Sequence, residues 1–330
     1  MPPSTRIPPL LQPYTKFPSS DSIFLLTSVL GASANWLIIR FLCEAWQKNE
    51  GEEEGFNVVL VSWMRDWEFW KGEGRKAGGL DMQRLASEKR LAFVDGLSGM
   101  FLASENGGGE GPGTSKGTEG GIAGMQTFPV RKPTPGRIPA RTTAQPSAPV
   151  SSQPKPTSTG LFTLSSPSLP TLESTVRSAI DHLSSSPKRQ TVLILDSLDT
   201  LLATSPELAP STLLATVLTL HTMTTHVLLH LSADDALLST SIPAQPLEVN
   251  GHNLLVKAAH MSRRVLSCRV LDTGVARDVS GVLRVTGGGD GGGMMEMLKF
   301  EENRIKNAEM LYLVKGDGSV KVFERGAGEG

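Results

Sequence analysis

The sequence predicts an α/β protein: a mostly parallel sheet flanked by helices on both faces, ending in antiparallel strands. Three observations predict it. Short runs that are apolar throughout, such as TVLILD, recur along the chain, as strands buried on both faces require. Segments with helical spacing of apolar residues separate them, giving an alternation of strand and helix. The last third changes to strands joined through glycine-containing turns.

The elements follow in chain order. Residues 22–27 (SIFLLT) form a short buried strand, and 35–48 (NWLIIRFLCEAWQK) follow with helical periodicity. The polar stripe of that helix is Arg40, Glu44, Gln47 and Lys48, and Arg40 and Glu44 are spaced as a solvated i, i+4 ion pair. Residues 57–62 (NVVLVS) and 91–95 (LAFVD) are the second and third strands, 172–183 a helix, and 191–196 (TVLILD) the fourth strand. A helix over 211–223 leads to the fifth strand, 226–231 (HVLLHL), and 251–262 is again helical. Strands at 265–271 and 279–285, then 310–314 and 319–323 around Lys315-Gly316-Asp317-Gly318, give the antiparallel end.

Composition divides the chain. Residues 104–170 are rich in Gly, Ser, Thr and Pro, with Arg131, Lys132, Arg137, Arg141 and Lys155 spaced along them. Such a stretch buries too little apolar surface to offset its chain entropy, so it is expected to be a disordered insertion and solvated linker. The expected organisation is a disordered tail over 1–20, a folded part over 21–103, the insertion, and a second folded part over 171–325. A flexible glycine loop at 287–293 interrupts that second part, and 326–330 are a tail.

Lys plus Arg is 32 against 33 for Asp plus Glu, so the protein is no overall polycation, and a nucleic-acid contact would need a local patch. Two cysteines, Cys43 and Cys268, make no disulfide framework and no metal cluster, and read as small buried residues of a reducing compartment. The proline-broken N-terminus has no signal-peptide core, and no apolar run is long enough to span a bilayer. A soluble, intracellular protein with no membrane partner is expected.

The turn after the first strand stands where a phosphate-binding loop would sit. Such a loop needs glycines for close backbone approach, a Lys for the β- and γ-phosphates, and a Ser or Thr for magnesium. Ser28-Val29-Leu30-Gly31-Ala32-Ser33-Ala34-Asn35 offers only Gly31, Ser33 and Asn35 at a degenerate version of this site, and the Gly-Lys-Ser/Thr ending is missing. Lys48 lies about 13 residues further on, roughly 20 Å along the helix, and cannot substitute. Asp196 closes TVLILD as a magnesium-side acid would, but Asp95 closes LAFVD in the same way, and Asp is common wherever a strand gives way to a turn. No cofactor and no metal is expected.

The five tryptophans, Trp36, Trp46, Trp63, Trp67 and Trp70, fall within one short stretch. If 63–71 is helical, the last three share a face, which suits a core or subunit interface; Arg65, Lys71, Arg75 and Lys76 beside them are the candidate RNA contacts. His221, His226 and His230 sit in apolar segments without a spaced acid or thiol, and read as structural histidines. Gly287, Gly289 and Gly292 match a dinucleotide fingerprint only because nearly every residue there is glycine. Neither a G-x-S-x-G elbow nor a Cys–His pairing points to nucleophilic catalysis.

Several segments together resemble the sixth subunit of the Elongator complex. They are GASANWLI, VSWMRDWEFW, AFVDGLSGMF, TVLILDSLDTLL and HNLLVKAAHMSRRVLSCRVLDTGVARDVSGVLRV, in that order. The resemblance covers about 22–102 and 172–323, and its most specific part is the TG-x-A-x-DV-x-G stretch near the end. It implies a RecA-like domain with a degenerate phosphate-binding loop: a pseudo-ATPase subunit, not an enzyme. It further implies a heterohexameric ring with the fourth and fifth subunits that attaches to the catalytic Elongator core, binds tRNA and supports modification of wobble uridine at carbon five. The implied location is the cytoplasm, with the nucleus as a second compartment. Two other classes stay open on the residues alone: a RecA-like ATPase with ATP-dependent nucleic-acid binding, and an RNA-binding module acting by itself.

Overall fold

The computed structural model describes residues 6–47, 55–101, 160–183, 189–239, 241–274, 276–287 and 307–325. A short helix α1 (Gln12–Thr15) precedes β1 (Ser22–Ser28), α2 (Asn35–Ala45), β2 (Asn57–Ser62), α3 (Trp67–Gly78), α4 (Met82–Ser87), β3 (Leu91–Asp95) and α5 (Ser98–Phe101). Then come β4 (Leu161–Thr163), α6 (Leu169–Leu183), β5 (Thr191–Asp196), α7 (Thr200–Thr204), α8 (Pro210–His221), β6 (His226–Ser232), α9 (Asp235–Leu238) and α10 (Pro246–Met261). The chain ends in β7 (Arg264–Arg269), β8 (Gly281–Gly287), β9 (Ala308–Val314) and β10 (Val320–Glu324).

One sheet holds all these strands in the order β10-β9-β8-β7-β1-β6-β5-β2-β3-β4. From β7 to β4 neighbours run parallel, with Ser22 to Ser28 of β1 opposite His226 to Ser232 of β6; from β7 to β10 they run antiparallel. The expected α/β architecture is therefore the observed one. Side chains alternate between two cores, because successive strand residues face opposite ways. Phe24, Leu26, Val58, Leu60, Phe93 and Ile194 pack with α2, α3 and α4 on one face. Leu25, Val59, Val61, Leu193, Leu195 and Leu229 pack with α6, α8 and α10 on the other.

Several expectations differ from the structure. Residues 6–20 are not a loose tail: Ile7, Leu11, Thr15 and Phe17 are buried, and Arg264 donates from Nη1 to the Tyr14 carbonyl. Residues 160–170 belong to the fold rather than to an insertion. There β4 extends the parallel sheet from β3, and α6 begins at Leu169. The rest of the expected insertion, most of the glycine loop, and 326–330 lie outside the described residues. No described helix is long and apolar enough to cross a membrane.

Arg40 departs furthest from its expected role. It is only 2 % exposed, and it donates to the carbonyls of Ala77 (2.5 Å) and Gly318 (3.0 Å) instead of standing in a solvated pair with Glu44. It thereby ties α2 to the end of α3 and to the β9–β10 turn. Burial pulls its affinity for a proton below the usual guanidinium range.

Candidate functional site

Ligands of open parallel sheets bind beyond the carboxyl ends of the strands, so the ends of β1, β6, β5 and β2 are where chemistry would sit. After β1 the chain turns at once. Ala32 N–H donates to Val29 O (2.9 Å), and Gly31 holds φ +89°, the left-handed conformation that glycine adopts without steric cost. The Val29–Ala32 turn is thus closed on itself where a phosphate-binding loop would open into a cradle. Leu30 N–H points to the Asp234 carboxylate at 2.5 Å, so an internal anion already holds it. Ser33 Oγ accepts from Asn35 N–H (3.2 Å) at the start of α2. The degenerate loop position of Gly31, Ser33 and Asn35 does line a cleft of about 320 Å³, walled by Trp36, Phe69, Glu73, Ser280 and Tyr312.

Asp196 is 1 % exposed, and both of its oxygens are taken. Ser62 Oγ donates to Oδ2 (2.7 Å), while His230 Nδ1 stands 2.7 Å from Oδ1. An ionised carboxylate only accepts, so Nδ1 carries the hydrogen; in the neutral imidazole Nε2 then accepts from Ser28 Oγ, 2.9 Å away. Four strands therefore contribute one hydrogen-bonded row, Ser28, His230, Asp196 and Ser62. Asp95, opposite Ser62 on β3, instead accepts Leu97 and Ser98 N–H (2.9 and 2.8 Å) and starts α5, the turn role expected of it.

This row has the order of a serine-hydrolase relay, which sequence reasoning missed. A hydrolase also needs donors aimed at a developing oxyanion. Here the nearby Leu30 N–H is held by Asp234, whose negative charge would oppose such an oxyanion. The row links β1, β6, β5 and β2 at their carboxyl ends, with one short hydrogen bond on each oxygen of Asp196. Among the described residues no group of three His, Cys, Asp or Glu is placed to hold a metal ion.

His226 bears out its structural reading more plainly. It is fully buried, Nδ1 pairs with Ser22 Oγ at 2.9 Å, and the ring stacks on Phe17 with centroids 5.0 Å apart. Burial lowers its pKa from 6.5 to about 4; Asp21 acts against this, while His221 and Arg263 add to it.

The tryptophans do not share one face. Trp63 lies in the turn after β2, before α3 begins, and is buried in the core beneath α6 and α8, whereas Trp70 is buried in the opposite core. Trp36 is 6 % exposed; Trp46 and Trp67 are partly buried against the α2 side. At least Trp36, Trp63 and Trp70 therefore anchor this chain's own cores rather than a subunit interface. Of the basic candidates, Lys71 pairs with Glu68 (2.6 Å) and Lys76 with Glu73 (3.8 Å), Arg65 lies over the Phe69 ring at 5.1 Å, and Arg75 is exposed. All four lie on α3 or just before it.

No protein-family profile matches the chain, and no curated protein matches it. Among solved structures it is similar to a KaiC-like protein, PH0186, from the hyperthermophilic archaeon Pyrococcus horikoshii OT3. The TM-score is 0.50 at 12 % identity, over 97 % of each chain. That likeness establishes the α/β, RecA-like fold.

Proposed function

We propose that the chain is the sixth subunit of the Elongator complex, a non-catalytic pseudo-ATPase. In this reading it forms a six-membered RecA-like ring with two copies each of the fourth and fifth subunits. The ring attaches to the catalytic core, binds tRNA and supports modification of wobble uridine at carbon five. The ordered segments from GASANWLI to the TG-x-A-x-DV-x-G stretch support the assignment, and a RecA-like fold is what such a subunit needs.

The observation that carries the non-catalytic part is the occupied Asp196. Each of its oxygens already accepts a short hydrogen bond, from Ser62 Oγ and from the His230 ring, so a metal there would compete with two fixed partners. The closed turn at Gly31, with its Leu30 amide held by Asp234, offers phosphate no cradle. The surface for a neighbouring subunit is better marked by Leu30, 89 % exposed, and Val270, 47 % exposed, than by the buried tryptophans.

Titration of the isolated chain with magnesium-ATP tests this part. The proposal expects no saturable binding and no turnover. Binding that is lost in Asp196→Ala would instead favour the RecA-like ATPase with ATP-dependent nucleic-acid binding.

A further inference from the structure

The last three strands are packed on one face only. Because successive strand residues face opposite ways, Leu283 and Val285 of β8, Met310 and Tyr312 of β9, and Val322 of β10 turn toward α2 and join the core there. The core beneath α6, α8 and α10 stops at β7. Val265 packs against it, and no residue of β8, β9 or β10 belongs to it. Among the described residues, the outer face of these strands therefore lacks the helix layer that β1, β6, β5 and β2 carry on both sides.

Register sets what this face presents. Val282, Leu311 and Phe323 stand side by side across β8, β9 and β10, and Leu313 lies next to Lys321. Leu311, Leu313 and Phe323 are half-buried and pack with neither core. Around them stand Arg269, Arg284, Lys321 and Arg325, all exposed. Arg325 pairs with Glu309, the acid that β9 places on this face, and Arg269 lies 4.0 Å from Asp272. Arg284 and Lys321 have no ion pair among the described residues.

We propose that this face is the docking site for an acidic amphipathic helix of a partner protein, whose apolar stripe covers Leu311, Leu313 and Phe323 while its carboxylates meet Arg284 and Lys321. Three strands spaced about 4.8 Å apart are about 10 Å across, the width of one helix with its side chains. Charge selects the acid, since the two bases without an ion pair are exposed and a partner's carboxylates reach them from solvent. The apolar middle favours a protein over a nucleic-acid strand, which would leave Leu311 and Leu313 uncovered and find one aromatic ring, Phe323, to stack on. The face lies across the sheet from Tyr312 and the Gly31 cleft, and it does not depend on the ring reading.

The test uses the full chain and a labelled helical peptide of about 15 residues, with leucines at i, i+4 and i+7 and glutamates between them. Fluorescence anisotropy is expected to show saturable binding, weakened about tenfold or more in the double variant Arg284→Glu, Lys321→Glu. A lysine-for-glutamate peptide should show the reverse, binding the double variant and not the wild type. Phe323→Ser should weaken both pairings several-fold. Equal affinity of the glutamate peptide for wild type and double variant, or no saturable binding to wild type, overturns the proposal. Binding that appears only after Glu301→Lys and Glu302→Lys would also overturn it, by assigning the face to the chain's own connection between β8 and β9. Tighter binding of an oligouridine strand than of the peptide, abolished in the double variant, would overturn it in favour of nucleic acid. Ring assembly by the double variant, measured separately, keeps this result distinct from the fate of the ring reading.

Discussion

Acid should destabilise this protein through His226, and the size of the effect follows from its surroundings. The ring is fully buried among Phe17, Phe24 and Phe56, and its pKa falls from 6.5 to about 4 chiefly through that burial. In the folded protein it stays neutral down to about pH 4, whereas in the unfolded chain it takes up a proton below 6.5. Between these values the unfolded state binds more protons, so stability falls as pH falls. With each pKa unit worth about 1.4 kcal/mol, the loss from pH 7 to pH 5 is about 2 kcal/mol, rising to about 3 kcal/mol near pH 4.

The assay is urea unfolding followed by tryptophan fluorescence, on wild type and His226→Phe at both pH 7 and pH 5. Phenylalanine keeps an aromatic ring in the cluster and gives up the Ser22 contact, a pH-independent cost of about 1 kcal/mol. The variant should lose about 2 kcal/mol less than wild type on acidification, since other histidines cancel in the comparison. Equal pH dependence in the two proteins would mean that His226 is not the group that titrates on unfolding.

Two structural predictions accompany it. Arg40→Met removes the donor to the Ala77 and Gly318 carbonyls and should cost roughly 3 kcal/mol. Hydrogen exchange should localise the loosening to the β9–β10 hairpin, and uniform protection there would contradict the tie. Gly281→Ala places a Cβ 2.6 Å from both the Arg269 carbonyl and Tyr312 Oη, so it should lower stability by about 2 kcal/mol or more in chemical denaturation. An unchanged midpoint would mean that β8 can shift away from Tyr312.

The parallel strands were legible because burial on both faces writes them as unbroken apolar runs: NVVLVS, LAFVD and TVLILD match β2, β3 and β5. Strand β4 was not, since three residues beside a glycine-, serine- and proline-rich stretch carry too little pattern to register. Helix α3, Trp67–Gly78, was legible only as a conditional helix over 63–71, and its bounds hid for a different reason. WEFWKGEGRKAG is rich in glycine, and it is held by Asp66 accepting Phe69 N–H at its start and by Gly79 in the left-handed region at its end. The missing phosphate-loop lysine was plain in the sequence. The row that occupies Asp196 was not, because Ser28, Ser62 and His230 come to it from three other strands, and only sheet order brings them together. Arg40 misled for the same reason: Glu44 is near in sequence, but the carbonyls that bind it lie 37 and 278 residues away.

The central claim, that this is an assembly subunit, is tested most directly by mass. The chain would be co-expressed with the fourth and fifth Elongator subunits and measured by light scattering after gel filtration. A single species holding two copies of each chain is expected. Elution of this chain alone, while its two companions assemble without it, would show that it is not a subunit of that ring.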